Sequence, residues 1–208
     1  MVVDKKEKLN ILKKELEAAN LPLKKTANLV FGEGNIDCAV MFVGEAPGFN
    51  EDVQKRPFVG RAGKLLDECI VEIGWKRADV YITNIVKRRP PDNRDPLPEE
   101  IEAYKPYLAR QIEIINPKII ATLGRFSMNY FLPFAKISKD HGKVFEAEKR
   151  IIFPLYHPAA ALRATTVLND LKADFKKLPN VVSEKPLTPS PLSLVSKKPE
   201  KPSQNKLF

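Results

Sequence analysis

The chain of 208 residues has little cysteine, and Cys38 and Cys69 are its only two thiols. Two thiols far apart in sequence cannot build a disulfide framework or a four-cysteine metal site, so we predict reduced packing residues in a protein of the cytoplasm. The first ten residues hold no apolar signal core, and the sequence has no run of 18 apolar residues. We therefore expect neither secretion nor insertion into a membrane.

Acidic residues are too few to balance the basic ones. The 35 lysines and arginines exceed the 26 acidic residues, which gives a net charge of +9 and a pI near 9.4. Such an excess favours an anionic partner, most commonly nucleic acid, although charge alone fits simple solubility equally well. A hydrophobic content of 43% is that of an ordinary globular protein, and the length suits one domain with a real core.

Four short apolar segments predict strands that are covered on both faces, because each is too short for a typical helix and rich in β-branched or aromatic residues. Helical patterns lie between them. This alternation predicts an α/β fold, a three-layer α/β/α sandwich with a central four-stranded parallel sheet. The predicted strands are 38–43, 80–86, 118–124 and 150–156, and the predicted helices are 4–19, 61–73 and 98–115.

The composition changes near the end of the chain. From about residue 178 the sequence is rich in proline and lysine and has no long periodic pattern. We therefore predict a folded domain over 1–177 and a flexible tail over 178–208.

Residues with binding or catalytic chemistry follow the predicted strands, where ligands of parallel sheets bind. The loop GEAPGFNED after the first strand carries Glu45 and Glu51, and RPFVGRAG adds Phe58. Asn84 lies inside the second predicted strand, near its carboxyl end, and His157 follows the fourth. Each has a plain alternative: a backbone-bonded Asn84, a loop histidine, a core phenylalanine or a tight turn. The combination of different chemistries at one sheet edge favours a binding site.

Six motifs, in order from about residue 28 to 165, carry a family resemblance: VFGEGN, MFVGEAPGFNED, RPFVGRAGKLLD, VYITNIVKRRPPDNRDPLP, ATLGR and FPLYHPAAALR. Together they resemble the uracil-DNA glycosylase superfamily, and most closely its family 4 branch. The resemblance implies a four-stranded parallel sheet between helices. It also implies an enzyme that flips deoxyuridine out of DNA and hydrolyses its N-glycosidic bond, which starts base excision repair.

The resemblance implies roles for the candidate residues. Phe58 stacks on the uracil ring, and the Asn84 amide pairs with uracil O4 and N3–H, which cytosine cannot match. His157 donates to the negative charge that develops at O2, and Glu45 stabilises the sugar cation and orients the water.

The same loop supplies the rest of the implied uracil site. The backbone N–H groups near Ala46 and Gly48 hold uracil oxygens, and Glu51 obstructs the methyl group of thymine. No metal is required by this mechanism.

The sequence departs from the family at an iron–sulfur cluster that family 4 members usually hold through four cysteines. Ala18, Leu21, Arg88 and Tyr104 stand at these positions. None can ligate iron as a thiolate does, so we expect no cluster and no cofactor. We consider two hypotheses for Arg88: it packs its guanidinium on the Tyr104 ring as part of an apolar plug, or it adds charge to a DNA-facing loop.

Basic residues flank the predicted site. The motif KRRPPDNRDP and the segment after HPAAAL predict a grip on DNA phosphates and a side chain that fills the gap left by the flipped base. The predicted DNA-binding residues are Lys87, Arg88, Arg89, Arg94, Leu162 and Arg163.

The chain ends in QNKLF, where Gln204, Leu207 and Phe208 match peptides that dock on a sliding clamp. We predict a monomeric prokaryotic enzyme at the nucleoid that acts on single- or double-stranded uracil-DNA and is tethered to a replication clamp. Two other functions stay open: binding or covalent trapping of uracil-DNA without turnover, and excision of another deaminated base.

Overall fold

The computed structural model describes residues 4–147 and 150–183. In these ranges, one sheet is flanked by helices on both faces. The strands are β1 (Glu33–Gly34), β2 (Val40–Gly44), β3 (Tyr81–Asn84), β4 (Ile119–Leu123), β5 (Phe145–Ala147) and β6 (Arg150–Leu155). The helices are α1 (Lys5–Ala18), α2 (Phe49–Gln54), α3 (Arg61–Glu72), α4 (Pro98–Ile115), α5 (Arg125–Phe131), α6 (Ile137–Asp140), α7 (Pro158–Ala161), α8 (Thr165–Phe175) and α9 (Leu178–Ser183), with 3₁₀ turns at Arg77–Asp79 and Pro91–Asn93.

The sheet has the order β1-β3-β2-β4-β6-β5. The central strands β3, β2, β4 and β6 are parallel, which confirms the predicted α/β sandwich and its four parallel strands. The prediction lacked the antiparallel edge strands β1 and β5. These strands have two and three residues, which is too short to leave an alternating pattern in the sequence.

Two apolar layers cover the sheet because successive side chains of a strand point to opposite faces. Val40 and Phe42 of β2 lie in the cluster that includes residues of α3 and α8. Met41 and Val43 of the same strand lie in the cluster that includes residues of α1 and α4. Burying one such side chain contributes about 1.5–3 kcal/mol, so both helical layers contribute to the stability of the sheet.

The first helix begins where the sequence places its cap. Asp4 precedes α1, and its carboxylate accepts a hydrogen bond from the Glu7 backbone N–H at 2.7 Å. Leu9, Leu12 and Leu16 then repeat at three- and four-residue spacing and are buried against the sheet layer.

Helix α9 lies inside the segment that was predicted to be a flexible tail. Leu178 is fully buried and Val181 and Val182 pack against the same core cluster, so the packed chain extends at least to Val182. The composition of 178–183 does not reveal this, because one apolar turn is too short for a periodic pattern. The rest of the predicted tail lies outside the described residues.

The described chain contains no helix with the length and apolarity that a membrane span requires.

The register of the parallel strands brings their carboxyl ends to one edge. Gly44 of β2 lies opposite Asn84 of β3, and Leu123 of β4 lies opposite Leu155 of β6. The residues that follow these positions therefore emerge side by side.

Candidate active site

A pocket of about 650 Å³ opens at the carboxyl edge of the sheet. Its walls come from the segments that follow β2, β3, β4 and β6 and from the start of α3. The lining includes all seven residues predicted to be catalytic or to bind the substrate base: Glu45, Ala46, Gly48, Glu51, Phe58, Asn84 and His157.

Asn84 brings to the pocket a buried polar atom without a hydrogen-bond partner in the described chain. Its side chain is 2% exposed, and its Oδ1 has no hydrogen-bond partner among the described residues. Gly44 makes room for it: a Cβ there would lie 2.4 Å from Asn84 Oδ1 and 2.6 Å from Phe58 Cζ. A buried amide oxygen without a partner is costly, so the position is prepared for a ligand that donates to it.

Phe58 forms an aromatic wall of the same pocket. Its ring is buried and lies 5.7 Å from the His157 ring, centroid to centroid. The Phe58 backbone has a φ of 51°, which is unusual for a bulky residue. Gly63 of α3 lets the helix approach this backbone, since a Cβ there would lie 1.9 Å from the Phe58 carbonyl oxygen.

Glu51 is tied to the backbone of the Phe58 loop. Its Oε1 accepts hydrogen bonds from the N–H groups of Val59 at 2.9 Å and Gly60 at 2.8 Å. Gly60 is the N-cap residue of α3. Glu51 therefore fixes this loop in addition to lining the pocket, which the sequence did not indicate.

His157 is held as a neutral imidazole. Its Nδ1 accepts a hydrogen bond from the Ala159 backbone N–H at 3.1 Å, so the ring proton lies on Nε2. Burial lowers the pKa of His157 to about 4, with Glu51 acting to raise it and Arg163 to lower it. At neutral pH the ring is thus an uncharged donor.

Glu45 is a carboxyl group that titrates near neutrality. Burial and, to a lesser extent, the negative charge of Asp95 raise its pKa to about 7, and the positive charge of Arg125 opposes the rise. A carboxyl with such a raised pKa in a pocket is typical of a catalytic group.

Sequence reasoning missed Asp95 and Arg125 as site residues. Both line the pocket. Arg125 directly follows Gly124 after β4, in the ATLGR motif, so the rule that ligands bind at strand ends could have identified it. Asp95 lies in a loop without periodicity, and no local signal marks it.

Two of the predicted DNA contacts need correction. Lys87 is 0% exposed and donates to Thr83 Oγ1 at 2.5 Å and Gln111 Oε1 at 2.7 Å. Burial holds its pKa well below the usual range for a lysine. Arg88 is 6% exposed and donates to the Ala27 carbonyl oxygen at 2.7 Å. The basic run of the sequence does not reveal that the chain stays buried beyond the end of β3, through Lys87 and Arg88.

The other predicted DNA contacts lie at accessible positions. Arg89 is half-buried, donates to Asn93 Oδ1 at 2.7 Å and stacks over the exposed Phe49 ring. Leu162 and Arg163 are exposed after α7.

Arg94 also lines the pocket, but its charge is partly neutralised. It forms a two-pronged ion pair with the buried Glu100, at 2.6 and 2.8 Å. Glu100 in turn accepts from the Leu97 N–H at the start of α4, so part of the Arg94 guanidinium is committed to the fold.

The four positions that correspond to the family's cluster ligands do not fit a metal cluster. Tyr104 is fully buried and donates to the Pro22 carbonyl oxygen at 2.6 Å. Burial raises the pKa of Tyr104 to about 12, and Arg88, which hydrogen-bonds its side chain, opposes the rise. Leu21 packs against the same apolar layer, and Ala18 is exposed at the end of α1.

This geometry favours the plug hypothesis for Arg88 over a DNA-facing role, with one correction: Arg88 engages the Tyr104 side chain by a hydrogen bond rather than by the predicted stacking. Cation–ring contacts in the described chain involve Arg89, Lys105 and Arg125.

The fold and pocket together define a class of protein. A doubly covered parallel sheet presents an aromatic wall, a buried amide with a free acceptor, a neutral histidine donor and a carboxyl of raised pKa around one cavity. This arrangement suits an α/β enzyme that binds a flat heterocycle with N–H and C=O groups along its edge.

Comparison with known proteins identifies the family. Residues 31–179 match the model of the "Uracil DNA glycosylase superfamily". The chain is 50% identical over 171 residues to the "Type-4 uracil-DNA glycosylase" of Saccharolobus solfataricus, which covers 77% of this chain and 79% of that protein. The protein of the same name from Sulfurisphaera tokodaii is 53% identical over 161 residues, 73% of each chain. That from Archaeoglobus fulgidus is 44% identical over 186 residues, 85% of this chain and 94% of its own. The chain belongs to the uracil-DNA glycosylase superfamily.

Proposed function

We propose that this protein is a uracil-DNA glycosylase of type 4, which hydrolyses the bond between uracil and deoxyribose in DNA and thereby starts base excision repair. The single observation that carries this proposal is the unsatisfied Asn84 Oδ1, buried in one pocket with Phe58, His157 and Glu45. These groups offer uracil a stacking surface, an edge partner and a donor at the same time.

Recognition of uracil rests on the Asn84 amide. Its Oδ1 accepts from uracil N3–H, and its Nδ2 donates to O4. Cytosine carries an acceptor and a donor at these two places, so both amide groups would face like groups. Leaving such groups unpaired in a buried site costs about 1–3 kcal/mol for each group, which supports discrimination against cytosine.

His157 acts on the leaving group. As the glycosidic bond breaks, its electron pair moves to uracil and negative charge builds at O2. The Nε2–H of the neutral ring donates to this oxygen without having to lose or gain a proton first. Such a donor contributes about 3–4 kcal/mol to the transition state.

Glu45 acts on the sugar. Its carboxylate stabilises the positive charge that develops at C1′ and orients the water that adds there. Because the pKa of Glu45 is about 7, only a fraction of the free enzyme carries the carboxylate at neutral pH. The developing sugar cation itself favours the charged form.

The loop after β2 completes the base pocket. Ala46 and Gly48 line the pocket, and their backbone N–H groups are proposed to donate to uracil oxygens. Glu51, fixed through Val59 and Gly60, is proposed to obstruct a methyl group at C5.

DNA contacts are proposed for the accessible basic and apolar residues. Arg89, Arg94 and Arg163 would contact phosphates, and Leu162 would fill the gap left by the flipped base. Lys87 and Arg88 are excluded from this set by their burial.

The chain is proposed to work without the family's iron–sulfur cluster. In its place, the Arg88 and Tyr104 side chains and their carbonyl partners at Ala27 and Pro22 hold the N-terminal loop. The test is metal analysis of the purified protein: an iron content below one atom per chain is expected, and four iron atoms per chain would refute the proposal.

Gln204, Leu207 and Phe208 are proposed to bind a sliding clamp, and they lie outside the described residues. Deletion of the last five residues should abolish clamp binding and leave uracil excision unchanged, and equal binding before and after deletion would refute the role.

We further propose a monomer located at the nucleoid of a prokaryotic cytoplasm, which sedimentation of the purified protein and fractionation of its host would test.

Excision itself is tested with an oligonucleotide that carries one uracil, incubated with the protein and then with alkali. Strand cleavage at the uracil is expected in single- and double-stranded substrates, and none with thymine or cytosine in its place. A covalent protein–DNA band instead would indicate trapping, intact DNA would indicate binding alone, and cleavage only at another deaminated base would reassign the substrate.

A further inference from the structure

The loop that carries Phe58 is clamped by a side chain from outside the pocket. Arg77, in the 3₁₀ turn before β3, reaches back to this loop. Its Nη2 donates to the Pro57 carbonyl oxygen at 2.5 Å, and its Nη1 donates to the Phe58 carbonyl oxygen at 3.3 Å. Arg77 is not among the residues that line the pocket.

Arg77 is itself fixed by two carboxylates. Glu33 of the edge strand β1 accepts from its Nε at 3.1 Å and from its Nη2 at 3.0 Å, and Asp67 of α3 accepts from its Nη1 at 2.7 Å. Glu33 also accepts two hydrogen bonds from Arg56, which begins the same loop, at 2.7 and 2.9 Å. Because the donors of a guanidinium lie in one plane and several acceptors hold them, the Arg77 guanidinium has one available orientation.

The Phe58 backbone needs such a clamp. A φ of 51° is a strained conformation for a phenylalanine and persists only where the surroundings enforce it. Glu51 holds the N–H groups of Val59 and Gly60, while Arg77 holds the carbonyl groups of Pro57 and Phe58. The N–H groups and the carbonyl groups of the loop are thus held by two different side chains, and the ring is presented to the pocket in one position.

We propose that Arg77, anchored by Glu33, is a positioning residue that sets the affinity of the pocket for the free base by holding the Phe58 ring in its stacking position. The identity of that base as uracil rests on the proposed function. This gives the VFGEGN segment a role at the site: Glu33 couples the edge strand to the stacking loop.

The test uses Arg77→Gln in the full-length chain, with free uracil as the probe and its dissociation constant measured by NMR titration. We expect uracil to bind about tenfold more weakly to this variant, because the ring is no longer held. Arg110→Gln is the matched control. It removes an ion pair with Glu15 between α1 and α4, and should leave the dissociation constant unchanged.

A double-mutant cycle distinguishes an effect of Arg77 through the Phe58 ring from a merely structural role of Arg77. Phe58→Leu keeps an apolar side chain and removes the stacking ring. If Arg77 acts through Phe58, adding Arg77→Gln to this background should weaken uracil binding by less than about twofold. Thermal unfolding of each variant is recorded, and Glu33→Gln, with a smaller effect in the same direction, replaces Arg77→Gln in the cycle if that variant does not fold.

Equal uracil affinity of the wild type and Arg77→Gln would overturn the proposal, as would an equal loss of affinity in the wild-type and Phe58→Leu backgrounds. Uracil excision by the wild type is measured separately with the oligonucleotide. Failure of the wild type to excise uracil would overturn the proposed function, whereas excision together with unchanged or absent binding of free uracil would overturn only the role of Arg77.

Discussion

Asp95 and Arg125 form an ion pair at the mouth of the pocket, with Arg125 Nη2 2.5 Å from Asp95 Oδ2. Although the two charges pair with each other, they act on Glu45 in opposite directions: Asp95 raises the pKa of its carboxyl and Arg125 lowers it. The two charges of the ion pair therefore oppose each other in their effect on the pKa of Glu45, and burial causes the larger part of the rise.

The pH dependence of excision should follow Glu45. The active form is the carboxylate, which is present above the pKa and lost below it, and burial raises this pKa to about 7. We expect kcat/KM to rise with pH through about 7 and then to level off. His157 should add no change in this range, because it is already neutral above about pH 4. Steady-state kinetics on a uracil oligonucleotide between pH 5 and 9 measures this profile.

The two neighbours of Glu45 provide matched controls for that profile. Asp95→Asn removes the charge that raises the pKa and should move the midpoint to lower pH. Arg125→Gln removes the charge that lowers the pKa and should move it to higher pH. Shifts in the same direction, or a profile that persists in Glu45→Gln, would contradict the assignment.

Gly44→Ala should abolish base recognition. The added Cβ would lie 2.4 Å from Asn84 Oδ1 and 2.6 Å from the Phe58 ring, so both side chains must move. We expect kcat/KM for uracil excision to fall by about 100-fold or more, since small displacements in a catalytic site are costly. Gly74→Ala is the control: its Cβ meets nothing within 4 Å, and its φ of +80° should lower stability without lowering excision. Equal activity of wild type and Gly44→Ala would contradict the geometry.

The two histidines of the chain should behave differently. His157→Ala removes the proposed donor to uracil O2, and we expect kcat to fall by about 100- to 1000-fold. His141→Ala removes the hydrogen bond of 2.6 Å between His141 Nδ1 and the buried Asp174 carboxylate, which should lower the melting temperature and leave kcat unchanged. Single-turnover kinetics and thermal unfolding of both variants distinguish these effects. A large loss of kcat in His141→Ala would show that a role was missed.

Substitution of a buried arginine should lower the stability of the fold, whereas substitution of an exposed arginine should weaken DNA binding. Arg88→Ala leaves the Ala27 carbonyl without its donor, and we expect the free energy of unfolding to fall by about 2 kcal/mol with no change in the salt dependence of DNA binding. Arg163→Ala, at an exposed position, should leave stability unchanged and reduce the slope of log affinity against log salt by about one. Denaturant titration and binding at several salt concentrations provide both numbers. A reduced salt slope in Arg88→Ala together with a loss of stability in Arg163→Ala would contradict the burial of Arg88.

Much of the site followed from the sequence because it depends on strand ends. Glu45, Asn84 and His157 each follow or end a strongly apolar segment, and parallel strands bring such positions to one edge. The resemblance to the glycosylase family supplied their roles, and the match to the superfamily model over residues 31–179 confirms the family.

The burial of the basic run could not be predicted in this way. Lys87 and Arg88 lie in a sequence typical of a phosphate-binding loop, yet both are enclosed by residues that are remote in sequence, such as Gln111 and Ala27. Whether a charged side chain points to solvent depends on which distant segment packs over it. No local pattern contains that information.

The amino-acid sequence by itself determined the alternation of strands and helices, the parallel sheet and the edge at which the polar residues gather, because periodicity and strand polarity are local properties. Only the tertiary structure decided which backbone in the pocket is strained, which side chain has a shifted pKa and which polar atom lacks a hydrogen-bond partner. The raised pKa of Glu45, the free oxygen of Asn84 and the left-handed backbone of Phe58 all arise from contacts between segments far apart in the chain, where burial and close approach change the chemistry of ordinary side chains.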